Sequence, residues 1–372
     1  MFIQPLPTRK PLRALRLAAQ KRYDDDGGDS NDDVGTNDDD TNDNAGSDRN
    51  VRLEMATTTK NRATCVFPVL YLLPILLAVF CQAGFSQTPA ETRAQLLKEI
   101  DSGQFQDAVI TGQQAVSHWP RDPELRHYLG VAYFKSADFK QAQDQLTRAC
   151  DLNPKDSAIR FDLALVLLSQ QDYARAADEL TAAINLNPSN ALAHVLLGRA
   201  FLNSNRSLQA IDAFKTALKL DPAIRLGHYH LGFAYSSLGR DDEAIAEYKE
   251  ELRRSGESPA VVFELGRSLL ERGDYDAAIS NLARATQLDA SNSDAWYNLG
   301  KAQLLSGQPA AAETSLRKAI ALNATDAGPH YQLARALDKL GKNDEARMER
   351  DRFAALKKSQ RPTAGVATGR DQ

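Results

Sequence analysis

Cysteine is scarce, with three residues in a chain of 372. That excludes a disulfide-dense secreted scaffold, in which cross-links stand in for a small core. Excess charge is missing too. Lys and Arg number 45 against 49 Asp and Glu, a net of −4. A nucleic-acid binder needs a basic footprint to neutralise phosphates, so no nucleic-acid partner is expected. Catalytic signatures are absent from the sequence: no His-Glu-x-x-His, no Gly-rich phosphate loop before Lys-Ser or Lys-Thr, no Gly-x-Ser-x-Gly elbow. Hydrophobic residues make up 42%, a little low for a chain packed throughout, so part of it is expected to stay unpacked. The length allows two or three domains or one long repeat array.

The unpacked part is expected at the N-terminus. Residues 1–54 read as a disordered acidic low-complexity segment, because the run from Asp24 to Asp48 has little apolar surface to offset backbone entropy. Asp24 and Asp26 have the spacing that opens a calcium loop, but Gly28 follows where a third oxygen ligand belongs and no Glu closes the loop. Residues 55–86 read as a signal peptide or membrane anchor. Lys60 and Arg62 form a basic start, Cys65 to Phe80 is uncharged, and small residues follow. Cleavage is expected after Ser86 or Ala83. An uncleaved segment at residues 65–85 approaches the roughly 20 residues of a membrane helix, although Pro68 and Pro74 weaken it. Signals sit at N-termini, so the expected translation start is Met55, with 1–54 a mis-called extension. The product is then periplasmic, secreted or anchored to the inner membrane. The alternative is a cytoplasmic adaptor with a misread N-terminus.

From about residue 89 the chain repeats. Gly130, Ala164, Gly198, Gly232, Gly266, Gly300 and Ala334 are 34 residues apart, each preceded by Leu. Twelve residues after each comes Ala, from Ala142 to Ala346, and one step back gives Ala108. Apolar residues at helical spacing in 129–139 and again in 141–152 predict a helical hairpin, with small residues letting its helices approach. Pro120, Pro154, Pro188 and Pro222 stop the second helix of the early units. One hairpin cannot bury its apolar face, so neighbours must stack.

These motifs resemble the tetratricopeptide repeat family. Residues 295–303 (AWYNLGKAQ) follow its opening motif, with Trp296 at the Trp place. Leu129, Gly130, Tyr133, Phe139, Ala142, Leu146, Ala149 and Pro154 match the rest. The resemblance implies an all-α fold, a right-handed α-solenoid of stacked helix-turn-helix repeats. Eight units start near residues 89, 123, 157, 191, 225, 259, 293 and 327. The solenoid with its C-terminal capping helix is expected over 87–359, and a disordered tail over 360–372. Departures mark the first unit (Gly112), the fifth (Glu251, Gly256) and the eighth (Arg350, with the helix running on past Ala355).

No cofactor or metal is expected. His194, His228 and His330 occupy the place of Trp296 and read as packing residues, and Cys150 as a buried inert thiol. The resemblance also implies a concave groove lined by the first helix of each unit. The inward residues are then His127, Phe161, Val195, Tyr229, Phe263, Tyr297 and Tyr331. Four places on come Val131, Leu165, Arg199, Phe233, Arg267, Lys301 and Arg335. An aromatic row beside a basic row suits an extended peptide with acidic groups. Arg267 and Lys301 are expected to face solvent, outside the helix-packing places. The reading is a non-catalytic scaffold for a protein or peptide partner.

Overall fold

A computed structural model describes residues 87–359 of the chain. The expectations for 1–54, for 55–86 and for 360–372 lie outside the described residues. The chain divides into two compact units, Met1–Gly103 and Gln104–Gln372. The first contributes one described helix, α1 (Pro89–Asp101). Thr88 and Glu91 close its N-terminus as a reciprocal capping box, with Glu91 Oε2 accepting the Thr88 N–H at 2.7 Å.

The second unit holds α2 (Phe105–His118) and seven helical hairpins. Numbered second to eighth after their repeat units, these are α3 (Pro123–Lys135) with α4 (Phe139–Leu152), α5 (Ser157–Ser169) with α6 (Tyr173–Leu186), and α7 (Ala191–Asn203) with α8 (Ser207–Leu220). Then follow α9 (Gly227–Ser236) with α10 (Asp241–Ser255) and α11 (Pro259–Arg272) with α12 (Tyr275–Leu288). Last come α13 (Ser293–Leu305) with α14 (Pro309–Leu322), and α15 (Ala327–Lys339) with α16 (Asn343–Ser359). From α2 onward each helix packs on the next, and no strand occurs among the described residues. The fold is an all-α solenoid. No described helix is long and apolar enough to cross a membrane.

The small residues set the helix approach, as the sequence predicts. A Cβ on Gly130 would meet Leu146 Cγ at 2.6 Å, and on Gly300 it would meet Leu316 Cγ at 2.6 Å. Gly112 has a reason of the same kind: its missing side chain admits Leu129, whose Cδ1 would lie 2.9 Å from a Cβ there. Ala142, Ala176, Ala210, Ala244, Ala278 and Ala312 are fully buried. The turn inside each hairpin needs a left-handed residue, and these recur every 34 positions: Ala137, Gln171, Asn205, Gly239, Gly273, Gly307 and Gly341, all at φ between 57° and 89°.

The fifth hairpin departs from this plan. Its first helix, α9, starts late at Gly227, after Leu226 at φ 57°, and lacks the side-chain cap that Asp156 or Asn292 supplies elsewhere. Glu251 is buried and accepts the Tyr229 N–H at 3.3 Å and the Ser255 hydroxyl at 2.7 Å. Its carboxylate therefore meets one of the unpaired amides at the start of α9. At the far end, Arg350 stands where Leu316 packs in the unit before. It is exposed and bonds Asp338 Oδ2 at 2.6 Å.

Candidate functional site

Packing between alternate helices joins first helices to first helices: α3 to α5, and α7, α9, α11, α13 and α15 in succession. Residues at one register place of these helices therefore come to lie side by side. The face changes character along the array. In its early part Val131, Leu165, Val195 and Phe161 are buried. Phe161 was expected to line an open groove; at 1% exposure it is a core residue instead. In the later part Phe233 and Tyr331 reach solvent at 36% and 46%, while Tyr229, Phe263 and Tyr297 are half-buried. The rings of Tyr229 and Phe233 lie 6.5 Å apart.

The basic row is engaged internally. Arg267 is half-buried and its Nη2 donates to Glu264 Oε2 at 2.6 Å. Lys301 Nζ donates to Glu271 Oε1 at 2.9 Å, across to the preceding unit. Arg335 donates to Gln332 Oε1 at 2.9 Å and lies over the Tyr331 ring. Arg199 is half-buried beside Tyr229 and His230. Arg267 is not the open cation expected: it is half-buried and paired with the buried Glu264 one turn back on α11. Burial works against the Arg267 charge, but the Glu264 carboxylate outweighs it and lifts the pKa. Burial pushes Glu264 up, with Arg267 holding it down, and burial pushes the Tyr229 phenol up to about 12.

Several residues of this region escape a reading of isolated motifs. Tyr248 takes the place that Leu146 and Leu316 hold and lies over Gly232. Its hydroxyl is fully buried and has no hydrogen-bond partner, as is true of the Ser268 hydroxyl. Glu264 escapes that reading too, while Asp241 reads with Asp242 only as a pair of acids favouring the next helix N-terminus. The available signal was register: Tyr248 interrupts a column of Leu and Phe, and Ser268 a column of Ala that includes Ala200, Ala234 and Ala302.

The Trp-place residues are latches. Arg126 and Arg160 donate from Nε, and Trp296 from Nε1, to the carbonyl six residues back: Pro120 at 2.8 Å, Pro154 at 3.2 Å and Ala290 at 3.1 Å. His194 Nε2 lies 3.3 Å from the Pro188 carbonyl. His228 and His330 instead meet Glu247 at 2.6 Å and Glu349 at 2.5 Å on the second helix. His127 Nε2 lies 2.6 Å from Asp162, joining two hairpins. These are structural roles, and among the described residues no three His, Cys, Asp or Glu side chains group to hold a metal. Cys150 is buried, which pushes its thiol up to about 12 and leaves it inert.

A family model described as tetratricopeptide repeat matches residues 129–191, 195–259 and 263–327, more than half of the chain. The chain belongs to the tetratricopeptide repeat family. Members of this family act as protein-interaction scaffolds. Among solved structures, the chain is similar to YrrB, described as a TPR protein with an unusual peptide-binding site: 24% identity over 50% of this chain and 95% of that one, TM-score 0.44. A structure of MamA from Desulfovibrio magneticus RS-1 is 26% identical over 46% of this chain and 97% of that one, TM-score 0.43. The APC/C hetero-tetramer Cut9-Hcn1 matches at 18% identity over 69% of this chain and 50% of that one, TM-score 0.49. No curated protein matches the chain.

Proposed function

We propose that the chain is a non-catalytic scaffold of the cell envelope that holds an extended segment of a protein partner along its first-helix face. The observation that carries this reading is the ladder of Tyr229, Phe263, Tyr297 and Tyr331 at one register place of four neighbouring helices, with Tyr331 at one end and Phe233, beside Tyr229, at the other open to solvent. Aromatic side chains give large contact area at little conformational cost, and exposed ones grouped on one face mark interaction surfaces. The envelope assignment rests on Lys60, Arg62 and the apolar segment after them.

Full-length chain carrying Phe233→Ala and Tyr331→Ala is compared with wild type as bait in envelope extract. Loss of the same partner band from the variant, with unchanged helicity, supports the groove. Equal recovery moves the partner to another face. N-terminal sequencing of the native protein tests export: a start near Gln87, or retention in the membrane fraction, is expected. A soluble cytosolic product starting at Met1 overturns it.

A further inference from the structure

The cleft between α9 and α11 differs from the rest of the face. In the preceding hairpin, Ser237 Oγ donates to Ser207 Oγ at 2.9 Å, closing the slot between one second helix and the next first helix. Thirty-four residues on, the same two places hold Asp241 and Glu271. Two carboxylates stand where two hydroxyls closed the gap. Each neighbouring cation is already engaged: Arg267 by Glu264, Lys301 by Glu271, and Arg272 by Asp242 at 3.2 Å and Asp274 at 2.9 Å. Asp241 is left over. It makes no hydrogen bond or ion pair among the described residues, and burial, then Glu271, push its carboxyl above the usual range.

Deeper in the cleft lies the Tyr248 ring, 6.1 Å from Tyr229. Its buried, unpartnered hydroxyl sits in the field of Glu264, Tyr229, Arg267 and Asp241. Phe233, the most open aromatic of α9, lies beside Tyr229 at the same cleft.

We propose that this cleft is the specificity subsite of the groove and takes a basic side chain, arginine or lysine, of the bound segment. The inference rests on the groove reading above and reverses the acidic chemistry expected from the sequence. An incoming carboxylate would meet cations already neutralised and an unpaired Asp241. An incoming guanidinium or ammonium finds an unpaired carboxylate and, in Tyr229 and Phe233, aromatic faces for its stem. Of the two, only the cation leaves no charge without a partner.

The test selects 12-residue peptides from a random display library on the full-length chain. Enriched sequences are then measured as fluorescent synthetic peptides by anisotropy. A shared Lys or Arg is expected, and replacing it with Gln should weaken binding about tenfold, the effect of about 1.4 kcal/mol. The near-isosteric variant Asp241→Asn, Glu271→Gln should lose that preference while binding the Gln peptide as wild type does. Rising salt should weaken the basic peptide more than its Gln form. Because the Gln substitution is made in the peptide, the preference is read even if the variant folds poorly. Enriched peptides with no basic residue, or with an acidic one at the fixed place, overturn the subsite. If their binding still falls on Phe233→Ala with Tyr331→Ala, the groove reading stands alone. Binding unmoved by that double change, or a selection that enriches nothing, overturns both.

Discussion

The third and fifth hairpins share a backbone and differ in almost every interior group. In α5 and α6 the interior is hydrocarbon: Phe161, Leu163, Val166, Leu167, Ala176 and Leu180 are all buried. In α9 and α10 the same shell holds the carboxylate of Glu251, the phenol of Tyr248 and the imidazole of His230. Yet both hairpins keep the small residue, the buried alanine twelve places on and the left-handed turn residue, at Ala164, Ala176 and Gln171 in one and Gly232, Ala244 and Gly239 in the other. The solenoid demands those few positions. The rest of the interior is free to carry chemistry, and the fifth hairpin carries it beside the open end of the aromatic ladder.

The largest effect is expected where the interior is most hydrocarbon. Ala176→Arg forces α5 from α6 and buries a charge with no acid prepared for it. Overpacking costs about 1–3 kcal/mol, and the unpaired charge several more. Hairpins contact only their neighbours, so the damage should begin locally. Amide exchange should rise most in residues 157–222, and wild-type exchange there would contradict the packing described.

A smaller effect separates the two hairpins by pH. His230 stacks on Phe214 with centroids 5.6 Å apart, and burial, then Arg199, hold its pKa at about 3 against an ordinary 6.5. The folded ring stays neutral while the unfolded one takes up a proton, so stability is lost as pH falls from 6.5 towards 3. The ring is partly exposed, which discounts the full displacement to on the order of 2 kcal/mol. His230→Phe keeps the stacking and should flatten that part of the acid limb. Chemical denaturation at pH 7 and at pH 4 measures it; an unchanged pH slope would show that the ring titrates normally.

The 34-residue spacing made the hairpins and their close-approach residues legible, because those requirements are local to one unit. The cleft was not. The Asp241–Glu271 slot and the Lys301–Glu271 pair each span two units, and Arg267 reads as an open cation until the burial of Glu264, three residues back on the same helix, is seen to hold it. Asp241 and Glu271 lie at different register places, so aligning the repeats column by column never sets them beside each other. Their juxtaposition depends on how one hairpin stacks on the next.

Removing the unpartnered hydroxyls should sharpen the contrast in the other direction. A buried polar group without a partner costs about 1–3 kcal/mol. Tyr248→Phe and Ser268→Ala should therefore each raise stability by about 1 kcal/mol, bringing the fifth and sixth hairpins closer to the third. Thermal unfolding measures the gain. A loss of stability would mean that the hydroxyls are satisfied in solution.

The smallest effect lies in the turns, where the early hairpins are the strained ones. The left-handed residue is Ala137, Gln171 and Asn205 in the second to fourth hairpins, and glycine from Gly239 onward. A side chain in that conformation costs about 1–2 kcal/mol, except that Asn tolerates it. Space is not the issue, because a Cβ on Gly239, Gly273 or Gly307 would meet nothing within 4 Å. Only the backbone term differs between the two halves. Glycine also widens the unfolded ensemble, which takes back about 0.5–1 kcal/mol. Ala137→Gly and Gln171→Gly should thus each stabilise by roughly 0.5 kcal/mol, Asn205→Gly should change little, and Gly273→Ala should destabilise by about as much as the first two gain. Urea midpoints at equal slope resolve the order. If Gly273→Ala is neutral, the turn is not held left-handed in solution, and the shared turn geometry of the early and late hairpins fails with it.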